Sequence, residues 1–125
     1  MYLSQGIRTL DGQDFPMVGL VPGVAVMAPK LQALGYVEVE TTVRTVLGGA
    51  GLRFRGHQFR YSTLEGVPAQ GGALRIRKRR GGSTHVEGFG PPNVLASYVH
   101  AHWASNPLVA EGLVNSARAF KEQRS

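Results

Sequence analysis

The chain has 125 residues, 42% of them apolar, which suits one domain of ordinary size and excludes wholesale disorder. Fourteen Lys and Arg against eight Asp and Glu leave a net charge of +6, which keeps anionic partners open and is silent about fold. There is no cysteine, so disulfides, thiolate metal sites and a thiol nucleophile within these residues are excluded. The longest run free of Asp, Glu, Lys, Arg and His, Phe15 to Pro29, falls short of the ~20 residues of a membrane helix and is broken by Pro16, Pro22 and Pro29. The chain does not open with a basic region leading into an apolar core, so a signal peptide is not expected, and the cytoplasm is the default compartment.

In chain order, Met1-Tyr2-Leu3 is apolar from the outset, and Gly6 is placed to close a short helix as its left-handed cap. Asp11-Gly12 signals a turn; the Phe15–Val21 run then reads as a short buried strand or apolar loop ending at Pro22-Gly23. Lys30 to Leu34 suits a turn of helix before Gly35. From Tyr36 the period is two, with Val37, Val39, Thr41 and Val43 facing one way and Glu38, Glu40, Thr42 and Arg44 the other. Glycines 48, 49 and 51 turn the chain into a second alternating segment, LRFRGHQFRYS, with His57, Phe59 and Tyr61 opposite Gln58, Arg60 and Ser62. ALRIRK and STHVEGF follow as a hairpin turning at Gly81-Gly82. VLASYVHAHW reads as a buried strand. Asn106 and Pro107 then open the one long helix, with Leu108, Val109, Leu113, Val114, Ala117 and Phe120 on one stripe. The expectation is an α/β or α+β domain: a strand-rich middle closed by a C-terminal helix.

Histidine is the side chain suited to acid–base work near neutral pH. His100 and His102 stand two apart on the last predicted strand, so both rings share a face, while Val99 and Ala101 pack inward. Three readings stay open. One imidazole takes a proton from a nucleophile while its neighbour orients it; or the pair joins His57 as three nitrogen ligands of a metal; or both are simply hydrogen-bonded at a strand end. No Asp or Glu nearby in sequence offers a second-shell partner to a metal. Eight of the fourteen basic residues lie between Arg53 and Arg80, interleaved with Phe54, Phe59 and Tyr61, a pattern open to nucleic acid. Lys78-Arg79-Arg80 is, however, a hairpin tip, and such charges are usually just solvated. No loop ending in Gly-Lys-Ser/Thr offers a nucleotide site.

Two strings go further. RGHQFRYS at 55–62 and NVLASYVHAHWASNP at 93–107 closely resemble the glutaminase domain of cobyrinic acid a,c-diamide synthases, and MYL, DGQDFPMVGLVPG and LQALGYVEVE follow the same order. The resemblance spans nearly the whole chain. It implies a partial class I glutamine amidotransferase-like domain of α/β class, with residues 1–125 as the C-terminal portion. Enzymes of that family amidate the a and c carboxylates of a corrin with glutamine, ATP and Mg²⁺. Their synthetase domain, which uses the ATP and Mg²⁺, is a partner of the glutaminase domain; this chain itself would hold no cofactor or metal.

By the same resemblance His100 is the base, His102 stands where class I relatives have a Glu, and Arg60, Tyr61 and Ser62 fall where relatives hold the glutamine backbone. Gln58 replaces the family's Glu and Arg60 replaces a His; a cation at 60 could bind the glutamine carboxylate or disturb the site. The family's cysteine falls immediately before Met-Tyr-Leu, so the resemblance implies a chain truncated at its front and without glutaminase activity alone. A shortened domain would also leave core surface uncovered, with a homodimer or a partner supplying the missing half.

Overall fold

The computed structural model describes residues 1–68 and 71–125. Two sheets and one long helix account for most of them. Strands β1 (Ser4–Arg8), β2 (Asp14–Pro16), β3 (Val21–Met27) and β6 (Ser62–Glu65) form a four-stranded sheet in the order β2-β1-β3-β6. Strands β4 (Ala33–Thr41), β5 (Arg53–Arg60), β7 (Leu74–Lys78), β8 (Thr84–Glu87) and β9 (His100–His102) form a five-stranded sheet in the order β8-β7-β4-β5-β9. Among the described strands only β1 and β3 pair in parallel. A short 3-10 turn (Trp103–Ser105) leads into α1 (Pro107–Gln123). The class is mixed α/β, as expected.

The two sheets are joined by one bent ladder. β4 and β5 pair antiparallel from Glu40↔Arg53 to Ala33↔Arg60. The pairing then crosses a corner through Gln32 N–H to Arg60 O (2.9 Å) and Ala28 N–H to Tyr61 O (2.7 Å), and resumes as β3 against β6 from Met27↔Ser62. The corner removes the turn of helix expected at Lys30–Leu34.

The period-two pattern sorts the five-stranded sheet into two faces. Val37 and Val39 of β4, Phe54 of β5, and Leu74 and Ile76 of β7 point inward and form the core with Leu47 and Val109. Val99 and Ala101 pack against that core, as the alternation predicts. Val43 lies past the end of β4 and is exposed.

Three expectations near the front need correction. Met1–Leu3 makes a turn, closed by Ser4 N–H to Met1 O (2.9 Å), and runs into β1 rather than a helix. Pro22-Gly23 does not end an element but lies inside β3, where the register against β1 shifts between Ser4 and Gly6. A proline lacks the ladder N–H and is tolerated at such an irregularity, and Gly23 supplies the positive φ of 100°. The Phe15 run is a short exposed edge strand, β2, not a buried one.

Two further corrections lie at the other end. Only His100–His102 of the VLASYVHAHW run is a strand, and α1 buries Val109 while Leu108, Leu113, Val114 and Phe120 stay exposed. The helix is held by polar and close-packed contacts instead. Asn106 accepts from Leu108 N–H (3.1 Å) and donates to Arg53 O (2.8 Å), and Ser116 donates to Val46 O (2.8 Å). Gly112 lies so near the Leu47–Gly48 backbone that a Cβ there would overlap the Leu47 carbonyl. Gly112→Ala is therefore expected to destabilise the chain by about 1–3 kcal/mol through overpacking, and Asn106→Ala by about 1 kcal/mol through loss of the cap. Urea midpoints of the two variants, read by circular dichroism, check both.

Candidate active site

β9 lies along the free edge of β5, with His100 opposite His57 and His102 opposite Arg55. Opposed residues of an antiparallel pair share a face, so both histidines stand on the outward face of the sheet, as the sequence predicts. Tyr36 of β4 opposes His57 in turn, giving a row Tyr36–His57–His100 with ring centroids 5.6 and 6.4 Å apart. Gly56 makes this approach feasible. A Cβ there would overlap Val99 and stand 2.8 Å from the His100 carbonyl oxygen. Beyond β9, Ser105 accepts from Arg55 N–H (2.8 Å) and Asn106 donates to Arg53 O, so the edge of β5 stays covered up to the helix.

The exposed ring of His100 has one protein hydrogen bond among the described residues, from Nδ1 to the His57 carbonyl at 3.2 Å. A carbonyl only accepts, so in the neutral ring Nδ1 carries the proton and Nε2 keeps a free lone pair. That is the tautomer a general base needs. His102 is exposed on the same face, and the orienting contact of His100 comes from the backbone of His57 rather than from His102. Among the described residues, no three His, Asp or Glu side chains converge as a metal ion would require.

Arg60, Tyr61 and Ser62 sit at the corner between the sheets. Their carbonyls already accept from Gln32 N–H, Ala28 N–H and Arg60 Nη1 (2.7 Å) respectively. The Arg60 guanidinium lies 4.6 Å from the Tyr98 ring centroid, and Ser62 Oγ is 2.8 Å from Tyr98 Oη. Arg60 thus turns toward Tyr98, with its Nε buried and unpartnered among the described residues, while Tyr61 stacks edge-on with exposed Phe59. The structure brings positions 60 and 62 together around Tyr98 and sends Tyr61 outward. The N-terminal residues Met1 to Ser4 share a cavity of about 280 Å³ with Leu95 to Tyr98, the segment that leads into β9.

Sequence reasoning missed the group that organises this region. Glu87 is 6% exposed, and its carboxylate accepts from Gln58 Nε2 (2.6 Å), His85 Nε2 (2.9 Å), Ser97 Oγ (2.6 Å) and Tyr98 N–H (3.0 Å). Burial is the largest influence on this carboxyl and pushes its pKa up. The hydrogen bonds from His85, Ser97, Tyr98 and Gln58 together outweigh it and hold the group below the ordinary glutamate value. The available signal was hairpin register. Turning at Gly81-Gly82, β8 sets His85 and Glu87 opposite Ile76 and Leu74, on the buried face.

Gln58 is 1% exposed beside this carboxylate. An amide at 58 can donate to Glu87, which a second carboxylate could do only when protonated. Gln58→Glu should therefore cost about 1–3 kcal/mol near pH 7 by setting two buried carboxylates against each other. The new carboxyl has a raised folded pKa, so the deficit against the parent chain should shrink as pH falls from about 7 toward about 4.3, where a free glutamate titrates. Denaturant unfolding of both chains across that range checks the sign.

Residues 1–108 match the CobB/CobQ-like glutamine amidotransferase domain. Among curated relatives, the chain is 52% identical over 118 residues to a cobyrinate a,c-diamide synthase of Leptospira interrogans, covering 93% of this chain and 26% of that protein. Synthases of the same name from Dehalococcoides mccartyi (strain ATCC BAA-2266) and Methanocaldococcus jannaschii are 37% and 36% identical, over 96% and 92% of this chain and 26% and 25% of theirs. The chain thus spans about a quarter of the length of these relatives. No described helix is long and apolar enough to cross a membrane. With a family match across most of its length, the chain belongs to the CobB/CobQ-like glutamine amidotransferase domains.

Proposed function

We propose that this chain is the C-terminal part of the class I-type glutaminase domain of a cytoplasmic cobyrinate a,c-diamide synthase, with His100 as its proton shuttle. The observation that carries the reading is the His100 Nδ1 contact to the His57 carbonyl, which leaves Nε2 of a solvent-facing imidazole ready to take a proton. The reaction is acyl transfer: a cysteine thiolate attacks the side-chain amide of glutamine, and the imidazole first holds the thiol proton and then delivers it to departing ammonia. Backbone N–H groups beside the cysteine would stabilise the oxyanion. The sulfur has to come from outside these 125 residues, which contain none of that residue type. The cavity between Met1–Ser4 and Leu95–Tyr98 brings the first residues close to the segment that leads into β9 and His100, in keeping with a nucleophile supplied from that side.

In this reading His102 flanks the base on the same face, and the corner at Arg60-Tyr61-Ser62 borders the bound glutamine. ATP and Mg²⁺ belong to the synthetase part of such an enzyme, which is the partner that consumes the ammonia. In this reading neither is held by residues of this chain.

Two experiments test the proposal. The purified chain should release no ammonia from glutamine above background, because the covalent route is missing rather than weakened; metal-independent turnover would overturn it. Grafted into the Leptospira synthase in place of the region it matches, the chain should support glutamine-dependent corrin amidation. His100→Ala should then lower that activity by about 10²–10⁴-fold and leave amidation driven by added ammonia intact.

A further inference from the structure

His100 has two immediate supports, and both trace back to one carboxylate. On one side, the chain enters β9 through Ser97 and Tyr98, whose hydroxyl and N–H are both held by Glu87 Oε2. On the other, the carbonyl that orients the ring belongs to His57, and the next residue, Gln58, donates its amide to Glu87 Oε1. Glu87 itself is fixed from a third direction by His85 on its own strand. Tyr98 carries the link on to Ser62 and Arg60 at the sheet corner.

The chemistry of the site calls for a carboxylate and not another polar group. The Ser97 hydroxyl, the Tyr98 N–H, the Gln58 amide nitrogen and His85 Nε2 all point at the two oxygens, two on each. An ionised carboxylate is acceptor-only and has room for all four; an amide of the same shape would set its own NH₂ against two donors. Among the described residues, moreover, no strand pairs with residues 97 and 98, since regular pairing begins at His100.

We propose that Glu87 is a positioning residue for His100. Its buried carboxylate ties the approach to β9 to the strand that carries the His57 carbonyl, and so keeps the imidazole in the orientation that frees Nε2. The proposal rests on the reading of His100 as the glutaminase base, and the test separates the two. A misplacement of about 1 Å is enough to weaken proton transfer a hundredfold, so the effect should be large in turnover and small in binding.

The first measurement uses the isotopically labelled chain. Glu87→Gln should speed amide exchange at Tyr98 by about tenfold or more and shift the ring resonances of His100. The ring of His102 and the amides of Val37 and Val39 in β4 should stay as they are. The second uses the chain grafted into the Leptospira synthase. There Glu87→Gln should lower glutamine-dependent kcat by about 10–100-fold with KM held within about twofold, and leave ammonia-dependent amidation untouched. If β4 also loses protection, Ser97→Ala, which removes a single hydrogen bond to the carboxylate, takes its place and should lower kcat about threefold to tenfold. Turnover that falls with His100→Ala but survives both of these variants overturns the positioning role and leaves the base standing. Turnover that survives His100→Ala overturns the reading of the base itself. An unchanged Tyr98 amide and His100 ring in Glu87→Gln overturn the positioning role whatever the base turns out to be.

Discussion

The antiparallel ladder that runs from β4–β5 around the corner into β3–β6 is the constraint from which the other features of the molecule follow. Eight successive register pairs fix which residues of β5 face inward, and a shift of one would turn every side chain to the opposite face. With Phe54, Gly56 and Gln58 inside, Arg55, His57 and Phe59 are outside. The outward row then continues onto β9 through His57 to His100, in the register of the β5–β9 pairing. Gly56 lets that continuation lie close. Its missing Cβ is the space taken by Val99 and by the backbone of His100.

Where the ladder ends, a buried charge takes over. A carboxylate removed from water is costly unless its lone pairs are met, and Glu87 meets them with donors from β5, β8 and the irregular stretch before β9. The lowered pKa of Glu87 reflects that arrangement. Its stabilising contribution is present at neutral pH and fades as acid protonates the group below the ordinary glutamate range. Polar networks of this kind specify one geometry more sharply than apolar packing, because a small displacement leaves a donor without a partner.

The helix shows a different balance. Its apolar stripe is real, yet only Val109 is buried, and the anchoring comes from the Asn106 cap, the Ser116 hydroxyl and the close approach at Gly112. Propensity and capping fix where the helix begins; they do not fix what covers its far side. Three outer arginines of the five-stranded sheet are likewise engaged with acidic neighbours. Arg77 pairs with Glu38, and Arg53 and Arg75 both approach Glu40. Exposed pairs of this kind contribute little to stability, but they temper the basic face that composition suggests.

Features that repeat within a few residues could be read directly from the chain. Among them are the alternation through Val37 and Val39, the hairpin at Gly81-Gly82, the helix start at Asn106-Pro107, and the shared face of His100 and His102. Each depends on backbone geometry that neighbouring residues set for themselves. The front of the chain misled because Pro22-Gly23 has the composition of a turn but serves as an irregularity inside β3, a role that pairing with β1 confers. The Glu87 cluster escaped for the same reason on a larger scale. Gln58 and Glu87 are 29 positions apart, and Tyr98 and Ser62 are 36 apart. No local pattern marks a carboxylate as buried, or a serine and a backbone N–H as its donors. Folding alone brings them together, since the register of two separate hairpins has to be in place before their side chains can meet.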